Sequence, residues 1–142
     1  MTNQPQFEAC SLSISRKMKQ ALGELINKNN LQAKSTITFN FRDKSYSAES
    51  GGYHPVEISL LKRPSDAWAI EYITDFAYMG NVYPELERSV DFDISNGASF
   101  FSGVGWQSID AYGVNDFYTL WESNFLSYLN MDSYDNINIT SN

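Results

Sequence analysis

Residues 56–76 read Val-Glu-Ile-Ser-Leu-Leu-Lys-Arg-Pro-Ser-Asp-Ala-Trp-Ala-Ile-Glu-Tyr-Ile-Thr-Asp-Phe. Apolar or bulky side chains recur at every second position on both sides of residues 63–66, as expected for two strands that each bury one face. The Arg-Pro-Ser-Asp sequence between them is typical of a turn. This stretch therefore predicts an antiparallel hairpin.

Further strands are predicted on both sides of this hairpin. Residues 36–41 alternate Thr, Ile, Thr, Phe, Asn and Phe. Residues 90–94 alternate apolar and acidic side chains and lead to Asn96-Gly97, a strong hairpin signal. We expect residues 98–101 to form the returning strand.

Three segments have weaker patterns. Residues 77–89 contain Gly, Asn and Pro, so we expect a loose connection there, with Leu86 in a short helical turn rather than a strand. Residues 103–106, Gly-Val-Gly-Trp, are expected to end the last strand. Residues 133–142 are predicted to be a tail or a short edge strand, because Ile137 and Ile139 alternate with polar side chains.

Two helices are predicted, one on each side of the strands. Apolar residues recur at three- and four-residue spacing between Ile14 and Ile26, with Ser11 or Ser13 as candidate N-cap. An aromatic stripe runs from Val114 to Leu129. The sequence thus predicts one α+β domain over residues 1–142, an antiparallel sheet of about five strands with an N-terminal and a C-terminal helix packed on one face. Residues 1–11 are expected to be a flexible leader.

The charge distribution is uneven. Of 17 acidic residues, seven follow Arg88, the last basic residue, so residues 1–88 carry ten acids and ten bases, and the net charge of -7 arises beyond Arg88. We expect an acidic docking surface there, formed by Asp91, Asp93, Asp116 and Glu122. This favours a non-enzymatic binding module that docks on a partner protein, and the acidic excess favours a basic surface on that partner. A nucleic-acid mimic acting on a DNA-binding protein is a less favoured alternative, and direct nucleic-acid binding is not expected.

The segment most like a functional loop is residues 43–55, Asp-Lys-Ser-Tyr-Ser-Ala-Glu-Ser-Gly-Gly-Tyr-His-Pro. It is longer than a plain hairpin requires, and long ordered loops often carry binding groups. The candidate ligand-binding residues are Tyr46, Glu49, Tyr53, His54 and Glu57. The competing interpretation is that Gly-Gly supplies a turn and the tyrosines seal the sheet edge.

An enzymatic site on this loop is the alternative function. His54 is the only histidine, so it would be the acid or base of such a site, and Glu49 or Glu57 would orient it. The nearby serines at positions 45, 47 and 50 are the candidate nucleophiles. Carboxylates of the neighbouring strands, Glu57, Glu71 and Asp75, would complete such a site. No Gly-x-Ser-x-Gly motif is present, so no catalytic residue is assigned and a structural or surface role of His54 is favoured.

Cofactors, metals and membranes find little support in the sequence. Asp91 and Asp93 share a strand face, but two carboxylates rarely hold a cation, so no metal or cofactor is predicted. Cys10 is the only cysteine and no apolar run approaches membrane length. We therefore expect a cytoplasmic protein without membrane contact. Self-association through Leu120 and Leu126 is left open.

Four segments resemble one bacterial family. Residues 41–58, 72–80, 91–97 and 120–126 are similar to the domain of unknown function 2787 (DUF2787). The resemblance covers most of the chain from about residue 36 onward. It implies one compact domain but no catalytic or binding residues.

Overall fold

The computed structural model describes residues 4–142, and in this range the chain forms two α-helices and one seven-stranded antiparallel sheet. The helices are α1 (Arg16–Lys28) and α2 (Val114–Asn130). The strands are β1 (Thr36–Arg42), β2 (Val56–Lys62), β3 (Trp68–Met79), β4 (Glu85–Asp93), β5 (Ala98–Phe101), β6 (Gly105–Ser108) and β7 (Asn136–Ser141). Their order in the sheet is β6-β5-β4-β3-β2-β1-β7. The α+β class is confirmed, and the sheet has seven strands rather than about five.

The additional strand length lies where the sequence pattern is weakest. β3 continues to Met79 and pairs with β4 from Glu85, so Leu86 lies in a strand opposite Tyr78 and not in a helical turn. None of the residues in this arm is buried, and without a buried face it shows no alternation. The backbone pairing with β3 forms it instead.

One end of the sheet differs from the expectation, and the other agrees with one of its two alternatives. Gly105 and Trp106, predicted to end a strand, begin β6, in which Trp106 pairs with Phe100. The C-terminal segment is an edge strand, β7, which pairs with β1 and places Ile139 opposite Phe39. The tail alternative is therefore excluded for the residues of β7.

A bulge in β3 changes which side chains reach the core. Leu60 pairs with Ile70 and Ser59 with Tyr72, so Glu71 is an extra residue in β3. The two-residue alternation starts again after it, and Ile73 rather than Thr74 joins the apolar face. Asp75 follows on that same face, because it pairs with Val56 of β2 and Val90 of β4. This register places a carboxylate at the margin of the core.

The core is one cluster of buried side chains from the sheet and both helices. In α2, Phe125 contacts Phe41 with ring centroids 5.1 Å apart, and Tyr118 contacts Phe92 at 5.1 Å. The α1 residues Met18, Leu22 and Ile26 are fully buried. Aromatic rings therefore provide much of the contact between α2 and the sheet.

The N-terminal segment is attached to the sheet. The Glu8 N–H donates to the carbonyl oxygen of Trp68, and the Trp68 N–H donates to that of Gln6. This corrects the expectation of a flexible leader for the described part of residues 1–11, while residues 1–3 lie outside the described range. The N-cap of α1 is Ser15, whose hydroxyl accepts from the Met18 N–H, rather than Ser11 or Ser13.

Neither helix of residues 4–142 is long and apolar enough to cross a membrane.

Candidate functional site

A cavity of about 300 Å³ lies beside α2, at the start of β2 and the end of the 43–55 loop. Its walls come from the 43–55 loop, strands β2 and β3, helix α2 and the segment after α2. The lining residues are Gly52, Tyr53, His54, Val56, Asp75, Trp121, Asn124, Phe125, Tyr128 and Tyr134. Five of these ten are aromatic rings other than histidine, and one is a carboxylate. The site is therefore an aromatic cavity with a single acidic group.

Asp75 is the central polar group of the cavity. Its side chain is only 14% exposed and has the apolar Val56 and Val90 as its strand neighbours. The Trp121 indole Nε1–H donates to Oδ2 at 3.0 Å, and His54 Nδ1 lies 2.7 Å from Oδ1. A carboxylate in such surroundings requires donors, since desolvation without them is costly. The two donors come from the loop and from α2, so Asp75 connects both to the sheet.

His54 lies at the surface of the cavity, with 43% of its side chain exposed. The hydrogen bond to Asp75 raises the pKa of His54, and partial burial opposes this effect. The Tyr46 ring packs against the imidazole with centroids 5.4 Å apart. Within residues 4–142, no hydrogen bond is made by His54 Nε2. That nitrogen is free to contact a ligand or solvent.

The aromatic walls support one another. Trp121 stacks on Phe125 with the two planes 8° apart and centroids 5.2 Å apart. Tyr53 contacts Tyr128 at 4.8 Å across the loop–helix boundary. Burial raises the pKa of Tyr134, and the negative charge of Asp75 raises it further. These contacts fix the wall positions without requiring a ligand.

The 43–55 loop is held by hydrogen bonds that begin at Asp43. Its carboxylate accepts from the Ser45 hydroxyl and from the N–H groups of Ser45 and Tyr53. The Ser45 hydroxyl contributes most to lowering the pKa of Asp43. Gly52 has φ +136°, and a Cβ there would lie 2.8 Å from Asp43 Oδ2 and 3.0 Å from Tyr46 Cα. Glycine is therefore required at position 52 for the loop to close.

The predicted ligand-binding residues are divided by the fold. Tyr53 and His54 line the cavity, and Tyr46 lies behind His54, where its hydroxyl accepts from the Tyr78 N–H. Glu49 is exposed and is not part of the lining. Glu57 points to the opposite face of the sheet because Val56 and Ile58 face the core. Neither glutamate therefore joins the His54 site.

On that opposite face, Glu57 belongs to a separate hydrogen-bonded group. Its carboxylate accepts from the Tyr72 hydroxyl at 2.7 Å and from the Asn40 amide at 3.1 Å. Burial raises the pKa of Tyr72, and the bond to Glu57 adds to this effect. Glu57 stabilises the pairing of β1, β2 and β3 rather than a ligand site.

Two of the four residues expected on the acidic docking surface are buried. Asp91 is 5% exposed, accepts from the Thr74 hydroxyl at 3.0 Å and pairs with Arg88 at 3.1 Å. Burial raises the pKa of Asp91, while the bonds from Thr74 and Arg88 oppose that shift. Asp91 therefore does not join an acidic docking surface, because Arg88 and Trp106 cover this part of the sheet, with Arg88 over the Trp106 ring.

Glu122 is also 5% exposed, and its carboxylate accepts from the Ser15 N–H at 3.0 Å and the Tyr118 hydroxyl at 2.6 Å. It therefore connects α2 to the N-terminus of α1. Asp93 is half-buried and caps the turn before β5, and Asp116 is exposed in the first turn of α2. Only Asp93 and Asp116 remain accessible to a partner among the four.

Sequence reasoning named Asp75 only as a neighbouring carboxylate and did not connect it with Trp121. The local alternation from Trp68 to Phe76 places Asp75 on the polar face of the strand, where an acidic residue is ordinary. Only the bulge at Glu71 moves Asp75 to the core face, and no local sequence pattern signals that bulge. No group of three or more His, Cys, Asp or Glu side chains within residues 4–142 is arranged to hold a metal ion.

Comparison with known proteins identifies the family. Residues 16–140 match the family model described as protein of unknown function (DUF2787). The chain belongs to the DUF2787 family. No curated relative matches it. Two solved structures from Vibrio cholerae are similar to nearly all of this DUF2787 chain.

The first is the hypothetical protein VC0508 from the VSP-II pathogenicity island, which is 48% identical and has a TM-score of 0.87. The alignment covers 95% of this DUF2787 chain and 99% of that one. The second is the hypothetical protein VC1805 from pathogenicity island VPI-2, 43% identical with a TM-score of 0.86, covering 94% and 99% of the two chains. VC1805 is described as sharing structural homology with the human p32 protein.

Proposed function

We propose that this DUF2787 protein is a non-enzymatic binding module that takes a small ligand into the aromatic cavity at His54 and Asp75. The observation that carries the proposal is the position of Asp75, a nearly enclosed carboxylate that lines an aromatic cavity. Ligand sites are commonly cavities of about 300–1,000 Å³ with mainly apolar walls and a few polar groups. This cavity lies at the small end of that range.

Binding is favoured over catalysis by the chemistry of the lining residues. His54 and Asp75 are arranged as a base and its orienting acid, but no Ser, Thr, Cys or Lys is among the lining residues of the described chain. The candidate nucleophiles are engaged elsewhere, because Ser47 and Ser50 hydrogen-bond to each other and Ser45 to Asp43. Proton transfer at His54 Nε2 is the competing enzymatic function.

A fragment screen followed by two-dimensional ¹H–¹⁵N NMR tests the proposal. The Trp121 indole N–H donates to Asp75 and reports occupancy of the cavity, whereas Trp106 lies on the other face of the sheet and is an internal control. We expect fragments that shift the Trp121 signal and leave Trp106 unchanged. A diverse set that shifts neither signal, or both equally, would refute the proposal.

Docking on a basic partner protein is a second candidate function, on a different surface. Tyr112, Phe117 and Leu120 are exposed around the N-terminal half of α2, next to the exposed acids Asp110 and Asp116. Apolar patches rimmed by like charges are typical of interaction sites. The acidic excess beyond Arg88 favours a partner surface rich in Lys and Arg. Nucleic-acid mimicry is less supported, because burial of Asp91 and Glu122 removes two carboxylates from an exposed array.

Neutralising the patch tests this second candidate. We expect Asp110→Asn with Asp116→Asn to reduce partner capture from the host, while Glu85→Gln with Glu87→Gln removes the same charge elsewhere and leaves capture unchanged. Capture should also fall as salt rises, because exposed charges are screened. Capture insensitive to both salt and the Asp110/Asp116 pair would contradict the docking surface. Light scattering of the purified protein shows whether a second copy of this chain, rather than another protein, binds this surface.

A further inference from the structure

The cavity has the features expected of a site for an organic cation. Its only fixed charge is the Asp75 carboxylate, and no Lys or Arg is among its lining residues within the described chain. The faces of aromatic rings attract cations, and desolvation strengthens the attraction. Tyr53, Trp121, Tyr128 and Tyr134 supply such rings around the carboxylate.

The donors of Asp75 leave it able to accept a further positive group. Trp121 is a neutral donor, and His54 supplies a positive charge only when protonated. With a neutral His54, the cavity holds one uncompensated negative charge in a partly apolar setting, which is unfavourable unless a cation neutralises it. A neutral or anionic ligand would leave that charge unpaired.

We propose that the cavity binds an alkylammonium group of about the size of a trimethylammonium head, with the positive charge near Asp75 and the methyl groups against the aromatic walls. This inference rests on the proposed binding function and specifies the ligand class. A volume of about 300 Å³ accommodates such a head group with a short chain. The head group is available on free small molecules and on modified lysine side chains.

The experiment compares two probes of the same shape and different charge. Choline carries a trimethylammonium group, and 3,3-dimethyl-1-butanol replaces its nitrogen with carbon. We expect titrations followed by the Trp121 indole signal to show that choline binds at least about tenfold more tightly than the neutral alcohol. This ratio corresponds to about 1.4 kcal/mol in binding free energy. Capped trimethyllysine, titrated in parallel, shows whether the head group is also bound on a peptide backbone.

Two variants locate the charge that matters. Asp75→Asn keeps an acceptor for Trp121 but removes the carboxylate, and we expect it to weaken choline binding at least about tenfold. Glu24→Gln removes an equal charge from the exposed side of α1, away from the cavity, and should leave binding unchanged. If Asp75→Asn does not fold, the comparison of the two probes on the wild-type protein still tests whether binding requires a positive charge on the ligand.

A pH series provides an independent test. Besides Asp75, the titratable groups facing His54 or the cavity are the phenols of Tyr46, Tyr53, Tyr128 and Tyr134. Because imidazolium and ammonium compete for one carboxylate, choline should bind more tightly at about pH 8.5 than at about pH 6. Tighter binding at the lower pH would contradict the competition.

The outcomes separate this inference from the proposed function. Equal affinities for choline and the alcohol, or choline binding that survives Asp75→Asn, overturn the cation site but leave a ligand cavity. The cation site is also overturned, and the ligand cavity retained, if neutral fragments shift the Trp121 signal and choline leaves it unchanged. If neither the probes nor the fragment set perturbs Trp121, both proposals fail.

Discussion

Replacement of Glu122 is predicted to destabilise the fold, because this buried carboxylate joins the two helices. Both of its hydrogen bonds are accepted by Oε2, from the Ser15 N–H and the Tyr118 hydroxyl. Ser15 is the N-cap of α1, where the unpaired N–H groups and the helix dipole favour negative charge. The sequence alone suggested a surface role, so Glu122 is a direct test of the structural assignment.

The expected magnitude follows from these two bonds. A hydrogen bond to a charged group contributes about 1.5–3 kcal/mol, and one between neutral groups contributes about 0.5–1.5 kcal/mol. Glu122→Gln retains an oxygen acceptor but loses the charge, so we expect a loss of about 2 kcal/mol in the free energy of unfolding. Glu122→Ala leaves the buried Tyr118 hydroxyl and the partly buried Ser15 N–H without this partner, at about 1–3 kcal/mol each, which gives about 4 kcal/mol.

Urea unfolding at neutral pH measures these losses. Glu24→Gln is the matched control, because Glu24 lies on the exposed side of α1, and its effect should remain within about 0.5 kcal/mol. A double-mutant cycle with Tyr118→Phe should give a coupling energy of about 1 kcal/mol. If Glu122→Ala were as stable as Glu24→Gln, the interhelical role of Glu122 would be refuted.

Two further predictions concern the candidate site. The bond to Asp75 raises the pKa of His54, so NMR titration should place its midpoint above 6.5, and Asp75→Asn should lower it. Because the folded-state pKa is the higher one, the stability from this pair is present below about pH 6.5 and is lost as pH rises through the folded midpoint. A wild-type midpoint at or below 6.5, or one unchanged by Asp75→Asn, would contradict this pairing. Gly52→Ala should lower the free energy of unfolding by more than Gly51→Ala. A Cβ at Gly52 would lie 2.8 Å from Asp43 Oδ2. A Cβ at Gly51 would meet no atom of the described residues within 4 Å, so that variant has only the backbone cost of φ +70°, about 1 kcal/mol. Equal unfolding free energies for the two variants would show that the loop adjusts at no cost.

The elements with strong periodicity were predictable from the sequence. The β2–β3 hairpin, β1 and both helices each place apolar side chains in the core, so their apolar spacing indicates their conformation. β5 was predicted instead from the Asn96-Gly97 turn signal. The arm of β3 and β4 beyond Asp75 and the strand β6 were not predicted. None of their residues is buried, and they form through backbone pairing with neighbours that a local pattern does not reveal.

The site was predictable only in part, for a different reason. Tyr53 and His54 were identified from the loop composition, but Asp75 depends on one extra residue, Glu71, which reverses the faces of β3. The misassignment of Glu122 was avoidable. It lies four residues after Tyr118 and three before Phe125, so helical spacing places it on the buried stripe.

The charge distribution also has a different meaning in three dimensions. Of the seven acids beyond Arg88, Asp91 is neutralised by Arg88 itself and Glu122 accepts from Ser15 at the start of α1. Both carboxylates are buried, so they stabilise the fold and are not presented to a docking partner, although within residues 4–142 only Asp91 of the two is paired with an opposite charge. The carboxylate with the geometry of a binding site is Asp75, which precedes Arg88 and contributes nothing to the acidic excess. A ligand recognised there responds to one enclosed charge and the rings around it, so its binding should be far less sensitive to salt than docking on the exposed acids.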